Sequence, residues 1–170
     1  MNQHGMLNNI VSHCMVVAKV ALFLSEELNK RGQTIDLRLV EAASLLHDLT
    51  KTECLKTKED HARTASECLK DLGYERVGQI VAEHVVLAGE KDAGRVSEEE
   101  IVNYADKRVQ HDRIVSLGER FRDLKDRYAK NPRSLELLEA LEQATSKVEG
   151  KIFSQLEIRP EDLQSPDFHV

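Results

Sequence analysis

No run of apolar residues in this 170-residue chain approaches the ~20 needed to cross a bilayer, so neither a spanning segment nor a membrane partner is expected. The opening MNQHGMLNNI has no basic stretch leading into an apolar core, so no secretory leader is expected and the cytoplasm is the expected compartment. Cysteine is scarce. Three residues (Cys14, Cys54, Cys68) make an odd set without a CxxC pair, which excludes a disulfide framework and a zinc ribbon and leaves them as small apolar side chains. Positive charge is not in excess: 24 basic against 30 acidic residues gives −6, which argues against bulk attraction to nucleic acid or anionic lipid. A local basic site for a small phosphorylated ligand is compatible with that balance. Internal repeats, low-complexity segments and strands with period-two alternation are also missing. With 41% apolar and 32% charged residues the chain is expected to fold, and its length suits one domain with its own core.

Helical periodicity runs nearly throughout, which makes the class all-α. A first helix from about Leu7 to Lys30 has Leu7, Ile10, Val17, Ala21, Leu24 and Leu28 on one side and stops near Gly32. Asp36 caps a second, carrying Leu39, Val40, Ala43, Leu46 and His47. Thr57 with Asp60 resembles a capping box for a third, which Gly73 closes, and a fourth spans about Glu75 to Leu87. Ser97 with Glu98, Glu99 and Glu100 opens a fifth helix, expected to continue to about Lys130. Asn131-Pro132 restarts the chain into a sixth, weakened in its last turns by Gly150. From Ile158 onward, Pro160 and Pro166 predict a tail laid on the surface or frayed. Residues 1–130 form the expected helical core, with 131–170 a C-terminal helix and tail packing on the same domain.

Four of the seven histidines fall on apolar helix faces, each on a different helix. His13 shares the stripe of Ile10 and Val17. His47 follows Val40 and Ala43. His61 precedes Ala65 and Cys68, and His84 follows Val77 and Ile80. A single inward histidine is usually a hydrogen-bonded core residue, but four, with Asp48 attached to one, are costly to bury without a partner, and a metal supplies one. With Val102 at zero, Asp106 falls at roughly 40°, inside the apolar arc, whereas His111 falls near 180° and Asp112 near −80°. The second His-Asp pair therefore reads as solvated surface.

The ordered set His13, His47-Asp48, His61, His84, Asp106, with the strings AASLLHDLTK, DHARTASECL, AEH and NYADK, resembles the HD-domain superfamily of metal-dependent phosphohydrolases over about Leu7 to Gln110. The resemblance implies a compact helical bundle, with additional helices at its C-terminal end, around a central metal. It implies that His13, His47, Asp48 and Asp106 hold one ion, and that His61 and His84 hold a second bridged by Asp48. Such mixed ligation suits iron, manganese, cobalt or zinc. Catalysis then centres on Asp48 and Lys51. Lys51 resembles the lysine of the family's HDxxK string, placed to hold a substrate phosphate or assist the leaving group, with a solvated turn lysine as the plain alternative. Arg113, Arg120 and Arg127 recur every seven residues, and Arg113, nearest to Asp106, is kept as a substrate-binding residue while the other two read as a solvated helix edge. Thr50 stands where the family often has glycine, and the Gly-Tyr-Pro signature of cyclic dinucleotide phosphodiesterases is missing.

The implied activity is hydrolysis of a small phosphorylated compound, a nucleotide or dinucleoside polyphosphate. Di-iron oxygenases acting on a polyol or phosphonate share the six ligands, and some relatives are non-catalytic regulatory modules. Specificity is expected at the cavity mouth, in the loop from Gly89 to Arg95. Apolar surface on the fifth and sixth helices leaves room for a homodimer.

Overall fold

Helix α1 (Asn8–Lys30) is the spine of the molecule. In the computed structural model, which describes residues 5–89 and 92–165, its inward face of Cys14, Val17, Val20, Ala21, Leu24 and Leu28 is fully buried. Sealing each leucine contributes about 2 kcal/mol. By length and composition α1 would reach across a membrane, which corrects the expectation that no segment could; here half of that stretch is buried inside the protein and its apolar side is the core. Gly32, at φ +92°, lets the chain reverse after Arg31.

Asp36 caps α2 (Leu37–Leu46), accepting from the Arg38 and Leu39 amides at 2.9 and 3.2 Å. The chain then turns at 47–50 and enters a short helix that the sequence reading did not separate, α3 (Lys51–Thr57). Thr57 ends that helix rather than opening the next. The cap of α4 (His61–Asp71) is Asp60, which accepts from Ala62 and Arg63, and Gly73 at φ +86° closes it as expected. Helix α5 (Glu75–Ala82) stops short of Leu87. The Glu83 and His84 amides reach back only three residues, and side chains of the next helix take the carbonyls: Asn103 binds those of Glu83 and His84, and Lys107 binds that of His84.

Helix α6 (Glu98–Lys107) begins at the Ser97/Glu100 capping box. The predicted single helix to Lys130 is broken. Strands β1 (Val109–Gln110) and β2 (Arg113–Ile114) form a small antiparallel hairpin with His111 at φ +58°, and a second capping box, Ser116/Glu119, starts α7 (Leu117–Tyr128). The break is held by Arg108, whose buried guanidinium donates to the carbonyls of Val115 and Pro160 and to the Tyr104 hydroxyl. Asn131 caps α8 (Pro132–Phe153), which runs through Gly150 and puts Val148 and Ile152 into the core shared with α1 and α6. The tail, expected to lie on the surface or fray, carries a 3-10 turn at Pro160–Gln164 that buries Leu163; Pro166 lies outside the described residues. The all-α class is borne out, with the hairpin as the exception to the absence of strands.

Candidate metal centre

His47 and Asp48 stand at the turn between α2 and α3, deep in the bundle, at 0% and 1% exposure. His13 comes from α1, His61 from the first position of α4, His84 from just beyond α5, and Asp106 from the last turn of α6. The structure brings all six together. Imidazole centroids lie 5.4 Å apart for His13–His47, 4.9 Å for His47–His84 and 5.1 Å for His61–His84. His13 Nε2 is 3.0 Å from Asp106 Oδ1, and His47 Nε2 is 3.5 Å from both Asp106 Oδ1 and Asp48 Oδ2. Asp48 Oδ1 faces His61 Nε2 at 3.3 Å and His84 Nε2 at 3.7 Å.

Backbone carbonyls fix which nitrogens face inward. His13, His47 and His84 each bring Nδ1 to a carbonyl, of His111, Ser44 and Val81, at 2.9, 2.7 and 2.7 Å. A carbonyl only accepts, so Nδ1 carries a proton in each, and Nε2 is the nitrogen turned to the centre, its lone pair open to a metal whenever the ring is neutral. His61 Nε2 and His84 Nε2 stand 3.2 Å apart across that centre. His47 Nε2 and Asp48 Oδ1 have no hydrogen-bond partner among the described residues, although both are buried. Unpaired polar atoms in so dry a place are expensive, and a cation shared between them removes the cost. The side chains group into two sets with compatible spacing, His13-His47-Asp48 and Asp48-His61-His84, joined by Asp48.

Burial opposes charge on both carboxylates, yet both stay ionised. His47, His84 and Lys51 outweigh it and hold Asp48 far below the ordinary carboxylate range, and Lys107, His13 and His47 do the same for Asp106. Burial would likewise lower His47, but Asp48 and Asp106 hold it well above the usual imidazole range. Burial, with His84 alongside, brings His61 down to about 4, and burial lowers His84.

Lys51 donates to Asp48 Oδ2 at 2.7 Å and borders two cavities that flank the centre. Lys107, which the sequence reading passed over inside NYADK, donates to Asp106 Oδ2 at 3.0 Å and to the His84 carbonyl at 2.6 Å. The cavity of about 440 Å³ is lined by His61, His84, Asp106, Lys51, Lys107 and Arg120, with apolar residues of α7 and α8. The other, about 180 Å³, lies on the His13 and Asp48 side. Arg113 borders neither. It is exposed on β2, beside a separate hollow edged by Glu119, Asp123 and Asp126. The arginines set aside in its favour, Arg120 and Arg127, line both cavities at the centre. The hairpin is the reason: it resets the helical phase, so angles counted from Val102 do not extend past Arg108. His111 has the exposed side chain that its phase predicts, while its carbonyl orients His13. Of the 89–95 loop, residues 90 and 91 lie outside the described residues.

The family model of the HD domain matches residues 10–110, which contain all six converging side chains. The chain belongs to the HD domain family. Comparison with curated proteins and with solved structures returns no match. HD domains are generally metal-dependent phosphohydrolases, and membership implies divalent metal binding, for which these histidines and aspartates could serve. Helices α7 and α8 lie beyond the matched HD segment, so the wall that faces the centre from that side is an addition to it.

Proposed function

We propose that this HD domain is a two-metal phosphohydrolase acting on a small phosphorylated compound, a nucleotide or dinucleoside polyphosphate. The observation that carries the reading is Asp48: one carboxylate common to two compatible ligand sets, with an oxygen that has no hydrogen-bond partner among the described residues. His13, His47, Asp48 and Asp106 would hold one ion, and Asp48, His61 and His84 the other. When bound, the pair supplies Lewis acidity toward phosphate oxygens and a water acidified toward hydroxide near neutral pH.

The protein's own groups do the rest. The carbonyls of His111, Ser44 and Val81 hold three imidazoles in the tautomer that keeps Nε2 available. Lys51 keeps its proton, since Asp48 outweighs the burial that would lower its pKa, so it presents a charged ammonium to the cavity. That ammonium can bind a phosphate oxygen or neutralise a departing one. Lys107 keeps Asp106 ionised and aimed at His13.

The test is metal analysis of the purified protein with a phosphate-release screen across nucleotides, repeated with Asp48→Ala. Near-stoichiometric pairs of ions, release from at least one nucleotide, and loss of both in the variant are expected. Retained turnover in Asp48→Ala removes the mechanism. Iron-dependent oxygen consumption with a polyol or phosphonate, without nucleotide hydrolysis, would move the chain to the di-iron oxygenases.

A further inference from the structure

We infer that Arg120 is the phosphate-binding cation of this site, and that α7 and α8 make the site selective for a phosphate carried on an apolar group of nucleoside size. The inference deepens the phosphohydrolase reading and rests on it. The residues shared by the two cavities beside the centre are Lys51, Arg120 and Arg127, so a cationic seam separates them. Lys51 and Lys107 are already bonded to Asp48 and Asp106. Arg120 is nearly buried, with 11% of its side chain exposed, and meets Asp123 only through Nη1 at 3.3 Å. Its Nε–H is buried without a partner among the described residues. Arg127 bonds Asp123 too and lies farther into solvent. A guanidinium that shares a cavity wall with Lys51 and Lys107 and keeps a donor the described residues leave unpaired calls for an anion, and its fork matches phosphate oxygens.

The two sides of the seam differ. The smaller, polar hollow beside Asn9 and His13 suits oxygen atoms or phosphate rather than a ring. The larger one has Leu55, Val85, Leu124, Tyr128, Leu138 and Leu141 around it, and its volume of about 440 Å³ accommodates an organic ligand. A phosphate held at the seam therefore directs its apolar substituent toward α7 and α8.

Calorimetric titration of inorganic pyrophosphate and AMP into the metal-loaded full chain tests this without requiring turnover. Arg120→Met, which keeps the aliphatic stem, is expected to weaken pyrophosphate binding by about tenfold or more. Arg113→Ala, the same loss of charge at an exposed position, should stay within about twofold. Leu138→Asn should weaken AMP by about fivefold while leaving pyrophosphate nearly unchanged. Circular dichroism checks that each variant folds, with Arg120→Gln replacing Arg120→Met if it does not. The inference is overturned by wild-type protein that binds no pyrophosphate, by equal losses in Arg113→Ala and Arg120→Met, or by AMP binding indifferent to Leu138→Asn. The expected binding pattern without release of phosphate from any nucleotide sinks the hydrolase reading and leaves the anion site standing.

Discussion

Lys107 holds its ammonium inside the protein, where burial lowers its pKa despite the Asp106 carboxylate alongside. Two bonds account for its presence: one fixes Asp106, and the other fixes the carbonyl that ends α5 and sets His84. Lys107→Met removes the charge but keeps the stem, leaving a buried carboxylate short of its partner. The expected cost is about 3–5 kcal/mol, read by urea denaturation of the metal-free protein. A loss under about 1 kcal/mol would show that His13 and His47 alone satisfy Asp106. Five of the six converging side chains are legible in the sequence because their positions continue an apolar helical phase, where polar atoms are out of place, and Asp48 because it adjoins His47. Lys107 is not legible that way. It follows Asp106 directly, and only the reach of its long side chain to Asp106 and to the His84 carbonyl brings it to the same spot. Arg120 is hidden for a different reason, since its phase depends on where α7 starts.

That start is written in the chain as Ser116-Leu117-Gly118-Glu119. Ser116 Oγ accepts from the Glu119 amide at 3.2 Å, and Glu119 accepts in return from the Ser116 amide at 2.8 Å. Ser116→Ala is expected to cost about 1 kcal/mol in denaturant melts and to let the first turn of α7, which carries Arg120, fray. Unchanged stability would mean that packing of Phe121, not the cap, fixes the helix end. The uninterrupted apolar phase from α6 into α7 hides this break in the sequence. What ends α6 is a tertiary event, the capture of the Val115 and Pro160 carbonyls by Arg108. The early stop of α5 is likewise imposed by Asn103 and Lys107 from another helix. Between α5 and α6, Arg76 bonds Glu99 and lies 3.2 Å from Glu98. Burial would raise the Glu99 pKa, but the Arg76 bond outweighs it and holds it below the ordinary 4.5. The unfolded chain therefore takes up this proton first on acidification. Stability from the pair is complete above about pH 4.5 and lost as pH falls through the lower folded value. Glu99→Gln should remove that slope, so the gap between wild type and variant closes as melts are run at lower pH. A gap constant from pH 3 to 6 would show that the charge on Glu99 does not matter.

At the scale of the molecule, five helical segments converge on six polar side chains, and the atoms left unpaired there set the energy of the metal-free fold. His47 Nε2 and Asp48 Oδ1 are buried without hydrogen bonds among the described residues, at a cost of about 1–3 kcal/mol each. Cations that bind only the folded arrangement stabilise it by mass action, about 2.7 kcal/mol at a hundredfold excess over Kd. For a domain of this size that corresponds to roughly 5–10 °C in melting temperature. Chelation should lower the melting temperature by that amount and manganese or zinc should restore it. In Asp48→Ala, which lacks the carboxylate common to both ligand sets, the response should shrink to a small fraction. Because an imidazole binds metal only when neutral, and Asp48 and Asp106 hold the His47 pKa well above the usual 6.5, the wild-type response should also weaken with falling pH already through the neutral range. The sign separates this from nonspecific ion effects, since exposed carboxylates would keep their affinity down to about pH 4. A melting temperature indifferent to chelator and metal, in a chain shown by analysis to be metal-free beforehand, would mean that the six side chains converge for packing and not for a cation.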